Sequence, residues 1–384
     1  MQLITSTDFT SSFTLQVLLV QKQIGQDRGD LYAMKILRKM HLLKRGQIER
    51  TKTERKVLSI VDHPFIMKLH FAFQSDDKLF LVLDYCAGGE LFFHLSRHRK
   101  FHENVACFYA VELLLALGHL HSKGIIYRDL KPENVLLDSE GHVKLGDFGL
   151  AKDGIEHPFR GATSRVGTPE YMAPEILQQL GHGFCVDYWG LGMLLYEMMT
   201  GLPPWYTTDR QKLFRRLNSA PLDLPPFFSQ HASSCVYSLL QRDPRRRLGV
   251  KGLVSALDHP FFSRLDLNAI AEKHVDAPIR PCHGWNSRDL SDSTNFNTFP
   301  KGALRSSNNS ESQIQAEELD AATANFDKQF TRMAVHSVTD HEGSEDNSSH
   351  EREEELDENT FVGFTFEDRS ESQSETQSVS ESIT

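Results

Sequence analysis

The chain has 384 residues and a mass of 43.7 kDa, 39% of them hydrophobic and 10% aromatic, which excludes a wholly disordered polypeptide and leaves room for two or three domains, or one two-lobed unit with a tail. No apolar run approaches the ~18–20 residues that span a bilayer, and the cysteines Cys86, Cys107, Cys185, Cys235 and Cys282 form no CxxC pair; this disfavours a membrane span, secretion and a cysteine-rich zinc site, and favours a reducing cytosolic or nuclear setting. The net charge of −10 is unevenly spread, with 20 acidic and 5 basic residues in 303–384 against 37 basic and 32 acidic in 1–302, a pattern of a slightly basic body with an acidic extension and not of a nucleic-acid binder.

From about residue 13 to 85, short apolar runs (Val17–Val20, Leu31–Leu37, Leu79–Leu83) alternate with a charged stretch, Lys44–Ile60, that reads as one helix. This predicts a small strand-rich unit. After Gly88-Gly89 the period changes: Ala106, Tyr109, Leu113, Leu117 and Leu120 recur at helical spacing, and Tyr188–Met199 is an apolar segment of helix length. The second unit is therefore mainly helical. Between its helices, Ile125–Ala173 breaks into short elements such as Asn134–Leu137 and His142–Leu145, the kind of loop region that carries chemistry. Beyond Phe262 periodicity fades, and from Asn286 the sequence is too rich in Ser, Asn and Glu to bury a core, apart from two apolar islands at Phe326–Phe330 and Phe361–Phe366.

The densest chemical signal is Tyr127-Arg128-Asp129-Leu130-Lys131-Pro132-Glu133-Asn134, followed thirteen residues later by Asp147-Phe148-Gly149. It resembles the catalytic loop and metal-binding triplet of protein kinases. Phosphoryl transfer needs an acceptor hydroxyl held in line, a neutralised triphosphate and Mg²⁺ on hard oxygens. Asp129 suits the hydroxyl and its proton, Lys131 the transferring phosphate, and Asn134 and Asp147 the metal.

From Tyr32-Ala33-Met34-Lys35 to His259-Pro260-Phe261-Phe262, by way of Gly167-Thr168-Pro169-Glu170-Tyr171-Met172-Ala173-Pro174-Glu175 and Asp187-Tyr188-Trp189-Gly190, the chain resembles serine/threonine kinases of the AGC family, and among them the ribosomal-protein kinase and protein-kinase-B branches. The resemblance implies an α+β, bilobal fold: a β-rich N-lobe over 17–83, a hinge at 84–86, a helical C-lobe over 87–262 and an acidic AGC-type extension over 263–384, after an atypical or truncated start at 1–16. It also implies ATP and Mg²⁺ as cofactors, protein substrates and upstream kinases as partners, no nucleic acid, and a monomer.

By the same resemblance, Lys35 pairs with Glu54, and the nucleotide meets Val17, Ala33, Asp84, Cys86, Glu90 and Leu136, with Leu83 as gatekeeper. Leu58, Leu69, Tyr127 and Phe148 form a hydrophobic column. Glu90 and Glu133 face a basic substrate residue, Thr168 contacts the catalytic Asp, and Ser164, Ser337 and Thr365 are the regulatory phosphosites. Arg215 stands where some relatives have an acid. The family's Gly-x-Gly-x-x-Gly loop is missing, since Ser11–Gln16 contains no glycine and only Gly25 and Gly29 precede Lys35. Two readings follow: an active kinase, or a catalytically impaired kinase fold serving as a regulator or binding module.

Overall fold

β1 (Leu3–Ser12) and β2 (Leu15–Lys22) open the chain as an antiparallel hairpin in which Ser12 pairs with Leu15, so only two residues join them. β3 (Leu31–Arg38) follows with strict alternation, Tyr32, Met34 and Ile36 turning one way and Lys35 and Leu37 the other. The first group packs with Leu18, Val20 and Val82 into one buried face. The computed structural model describes residues 3–12, 15–24, 28–282 and 360–368. Contacts divide the chain into two units, Met1–Ile60 with Lys68–Tyr85 and Lys328–Thr384, and Val61–Met67 with Cys86–Asp327. The division after Tyr85 falls inside the triplet expected as the hinge.

In the first unit the stretch Lys44–Ile60, expected as one helix, does hold one, which starts four residues later than expected and is preceded by a separate short helix. α1 (Lys39–Lys44) stops at Arg45, and α2 runs from Ile48 to Ile60. Gly46 explains the break, because its φ of +60° is a left-handed conformation that glycine adopts without steric cost. β4 (Leu69–Gln74) and β5 (Lys78–Asp84) complete the sheet, β5 pairing with both β3 and β4.

The second unit begins with β6 (Gly89–Glu90) and α3 (Leu91–His98) and is centred on α4 (Glu103–Ser122). By length and composition alone α4 could cross a bilayer, although Glu112 interrupts its apolar residues, so it is not the continuous apolar run whose absence the sequence showed. Its side chains are nonetheless taken up by the core: Phe108, Tyr109, Leu113, Leu114 and Leu117 are fully buried, each contributing about 1.5–3 kcal/mol relative to exposure. Its one mid-helix acid, Glu112, accepts from His142 at 2.6 Å and from the Val143 N–H at 2.8 Å. β7 (Val135–Leu137) pairs with β6 on one side and β8 (Val143–Leu145) on the other in a small sheet, and a 3₁₀ turn, Pro132–Asn134, leads into β7. α5 (Pro174–Leu177), α6 (Cys185–Thr200), α7 (Arg210–Ser219), α8 (Gln230–Leu239), α9 (Leu253–Leu257) and α10 (Leu267–Ala271) follow. α6, with Trp189, Leu191, Met193 and Leu194 fully buried, is the second core helix.

One element of the C-terminal extension returns to the first unit. β9 (Phe366–Glu367) lies antiparallel on β4, giving the strand order β1-β2-β3-β5-β4-β9.

Candidate active site

In the first unit, Lys35 has Val17 of β2 and Leu81 of β5 as register partners, and Ala33 pairs with Leu19 and Leu83. The Lys35 ammonium donates to both carboxylate oxygens of Glu54, at 2.7 and 3.0 Å, with side chains 15% and 6% exposed. Glu54 lies on the buried face of α2 with Thr51, Val57 and Leu58. A pair so shielded is costly to break from one side, because the remaining charge is stranded. Asp84 ends β5; its carboxylate accepts from His70 at 2.8 Å and from the Lys68 N–H at 3.1 Å, while its own N–H donates to the Lys68 carbonyl.

In the second unit, the loop before β7 is held in place by a carboxylate on α6. Asp187 accepts the N–H groups of Tyr127 (3.0 Å) and Arg128 (2.8 Å) and contacts His121 Nε2 at 2.7 Å. These bonds offset the cost of Arg128 at a φ of +69°, a conformation that costs a non-glycine residue about 1–3 kcal/mol. Asp129 follows, 7% exposed. One of its oxygens accepts from the Thr168 hydroxyl (2.8 Å) and N–H (3.1 Å); the other accepts from Asn134 Nδ2 (2.9 Å) and lies 3.2 Å from Lys131 Nζ. Lys131 also donates to the Thr168 hydroxyl at 3.0 Å.

Asn134 Nδ2 also donates to the Asp129 carbonyl at 2.8 Å, which commits the amide nitrogen and leaves Oδ1 as the end that can face a cation. Asp147, at φ +48°, accepts the Gly149 N–H at 3.3 Å. Beside it the buried Phe148 ring meets Tyr127 edge-on at 5.3 Å, and Leu58 and Leu69 are buried in the first unit. Glu90 and Leu136 are cross-strand partners in the small sheet. Burial raises the Glu90 carboxyl above its ordinary range, and the charge of Glu133 raises it further. Cys86 is buried and its carbonyl accepts the Gly89 N–H at 3.0 Å.

A family model for the protein kinase domain matches residues 18–262, and one for the protein kinase C terminal domain matches residues 320–366. The chain belongs to the protein kinase family. The C-terminal match, together with its relatives, places it in the AGC group. Similar proteins include a RAC family serine/threonine-protein kinase homolog of Dictyostelium discoideum, 46% identical over 69% of this chain and 59% of that one. Human ribosomal protein S6 kinase alpha-2 is 48% identical over 70% of this chain and 37% of its own length. Protein kinase 2 of Dictyostelium discoideum is 46% identical over 69% of this chain and 54% of its own length. The chain thus spans less than two thirds of each of these relatives.

The kinase's segment after the Asp-Phe-Gly turn is tied back to the loop by Arg128, which donates to the Leu150 carbonyl at 2.8 Å and to the exposed Ser164 hydroxyl at 2.9 Å. Ser337 and the Phe326–Phe330 island lie outside the described residues. Phe361 and Phe364 are buried, and Thr365 is exposed. Arg55, next to Glu54 on α2, donates to the carbonyls of Phe364 (3.1 Å) and Thr365 (3.0 Å). Gln74 donates to the Phe361 carbonyl at 3.1 Å, and Lys68 pairs with Asp368 at 2.7 Å.

The oxygens of Asn134 and Asp147 suit Mg²⁺. Among the described residues there is no group of three or more His, Cys, Asp or Glu that could hold a metal ion.

Three contacts escaped the sequence reading of individual residues: the anchoring of the loop by Asp187, the tail contacts of Arg55, and the buried structural pair Arg247–Glu175, at 2.6 and 3.0 Å. Asp187 had a visible signal, a lone carboxylate at the start of an apolar helix. Arg55 had none, being one of many charges in α2.

Proposed function

We propose that the chain is a protein serine/threonine kinase that transfers the γ-phosphate of ATP to a Ser or Thr hydroxyl. The observation that supports this best is the clamp on Asp129: Asn134, Lys131 and Thr168 fix both of its oxygens, so the carboxylate is presented in one orientation with little freedom to lose. Asp129 orients the acceptor hydroxyl and takes its proton as the oxygen bonds to phosphorus; the bond to the β-phosphate oxygen breaks and ADP leaves. Lys131 offsets charge on the moving phosphoryl group, and Lys35, held by Glu54, neutralises the phosphates. Mg²⁺, when bound by Asn134 and Asp147, neutralises further charge on the triphosphate. Glu90 and Glu133 select a basic residue in the substrate. Upstream kinases act on Ser164, where a phosphate adds about −1.5 to −2 charge beside Arg128, and on Ser337 and Thr365.

A second reading, a kinase fold with little turnover, draws on the hairpin, whose two-residue connection carries no glycine. Glycine N–H groups cover the phosphates in kinases that have the loop.

The test is phosphorylation of an arginine-containing Ser peptide with ATP and Mg²⁺, comparing wild type with Asp129→Asn. We expect kcat to fall about 10²–10⁴-fold, the range of a general base, with nucleotide affinity changed less than about twofold, since Asp129 serves the acceptor. Equal turnover by the variant would remove the assignment; no turnover by wild type would favour the second reading.

A further inference from the structure

Arg165 and Arg210 share one aromatic ring. Arg165 follows Ser164, Arg210 opens α7, and their guanidinium carbons stand 5.0 and 5.4 Å from the centroid of Phe214. Both side chains are exposed. Among the described residues neither has an ion-pair or hydrogen-bond partner. Arg215, also exposed, adds a third guanidinium on α7, the position where an acid stands in some relatives. The Asp209 carboxylate, which feels the Arg215 charge, is already engaged by the N–H groups of Gln211 and Lys212 at 2.9 and 3.0 Å.

The ring attracts each cation only modestly at an exposed site, and two guanidiniums repel one another. An anion between them removes that repulsion, and the planar arginine fork matches carboxylate and phosphate oxygens.

The cluster also lies close to the reacting group. Arg165 is three residues before Thr168, whose hydroxyl is 2.8 Å from Asp129, and three residues of extended chain reach at most about 10 Å. An extended substrate with its acceptor at Asp129 brings residues up to three positions away within the same reach. Glu90 and Glu133, which would hold a basic residue, have the opposite sign, so the two sets cannot serve the same substrate position.

Building on the kinase reading above, we propose that Arg165 and Arg210 select substrates carrying an anionic side chain, a carboxylate or a phosphorylated residue, within three positions of the acceptor and on the side away from the substrate arginine. The enzyme would then read a mixed-charge sequence, basic on one flank and acidic on the other.

The test uses the full chain with ATP, Mg²⁺ and Ser peptides in which arginine is fixed on one flank, then on the other. Asp, phosphoserine or Ala is scanned through the remaining positions. We expect Asp at the best position to raise kcat/KM about three- to tenfold over Ala. The gain should lie mainly in KM, and it should shrink in about 0.5 M salt. Phosphoserine exceeding Asp would identify a primed substrate; Asp equal or better would identify an acidic one. In the Arg165→Ala/Arg210→Ala double variant the Asp-to-Ala ratio should fall to about one, and Arg210→Glu should shift the preference toward Lys. Because each ratio is taken within one enzyme, a general loss of activity cancels. The inference is overturned if wild type treats Asp, phosphoserine and Ala alike at every position, or if the preference survives in the double variant. Absence of phosphorylation on any peptide would instead defeat the kinase reading, and this inference with it.

Discussion

Glu197 lies on α6, 6% exposed, and accepts a hydrogen bond from the Tyr171 hydroxyl. Burial pushes its carboxyl up to about 7; the Tyr171 bond opposes the shift, and the charges of Glu133 and Glu170 add to it. Below about pH 4.5 the group is protonated in both the folded and the unfolded chain. Between there and about pH 7 the unfolded chain releases a proton that the folded chain retains, so stability falls as pH rises through that window and stays lower above it. Glu197→Gln keeps the shape and an acceptor for Tyr171 without the charge. It should therefore raise stability at pH 8 by roughly 3–4 kcal/mol, at ~1.4 kcal/mol per pH unit of that window, and leave stability at pH 4 nearly unchanged. Thermal melts of both proteins at the two pH values decide it; an equal gain at pH 4 would mean that the effect is packing and not ionisation.

At the scale of elements, α2 joins two functions through adjacent residues. Glu54 holds Lys35, and Arg55 holds the carbonyls of Phe364 and Thr365. The tail contact and the Lys35 contact are thus made by neighbouring residues of one helix. Arg55→Ala should cost the docked tail about 1–3 kcal/mol for the bonds it leaves unmade. In unphosphorylated protein, Thr365→Ala should change docking by less than about 0.5 kcal/mol, because its side chain is exposed and only its backbone is used. Hydrogen exchange over residues 360–368 measures both, and equal loss of protection in the two variants would contradict the carbonyl contact. Strands β3 and β5 and helices α4 and α6 were legible in the sequence because each has an unbroken apolar period. The short α1 and the exact start of α2 were not, because Gly46 sits in a charged run where a 3.6-residue period is hard to see. The grouping of Asp129, Lys131 and Asn134 in one loop was legible from motif spacing, whereas Asp187 reaches that loop from sixty residues away.

For the molecule as a whole, each unit carries its own set of charged groups, and each set is internally tied. In the first unit the connection between β1 and β2 carries no glycine. Lengthening the connection between β1 and β2 to a Gly-x-Gly-x-x-Gly loop should lower the KM for ATP about tenfold, the equivalent of one or two added hydrogen bonds to phosphate, with a smaller effect on kcat. Steady-state kinetics at saturating peptide measure this, and an unchanged KM would mean that the existing hairpin already meets the phosphates.

The pairing of β9 with β4 has a further consequence for behaviour in concentrated solution. Phe71 and Ala72 face Glu367 and Phe366, and the Asp368 N–H donates to the His70 carbonyl at 3.0 Å. With β5 on its other side, β4 would be the sheet's outer strand without the tail, presenting unpaired peptide groups beside Phe71 and Phe73 as a template for another chain. The tail therefore acts as a built-in cap against self-association: any treatment that detaches it, by proteolysis or substitution, should make the protein's solubility fall with concentration well before its fold is lost.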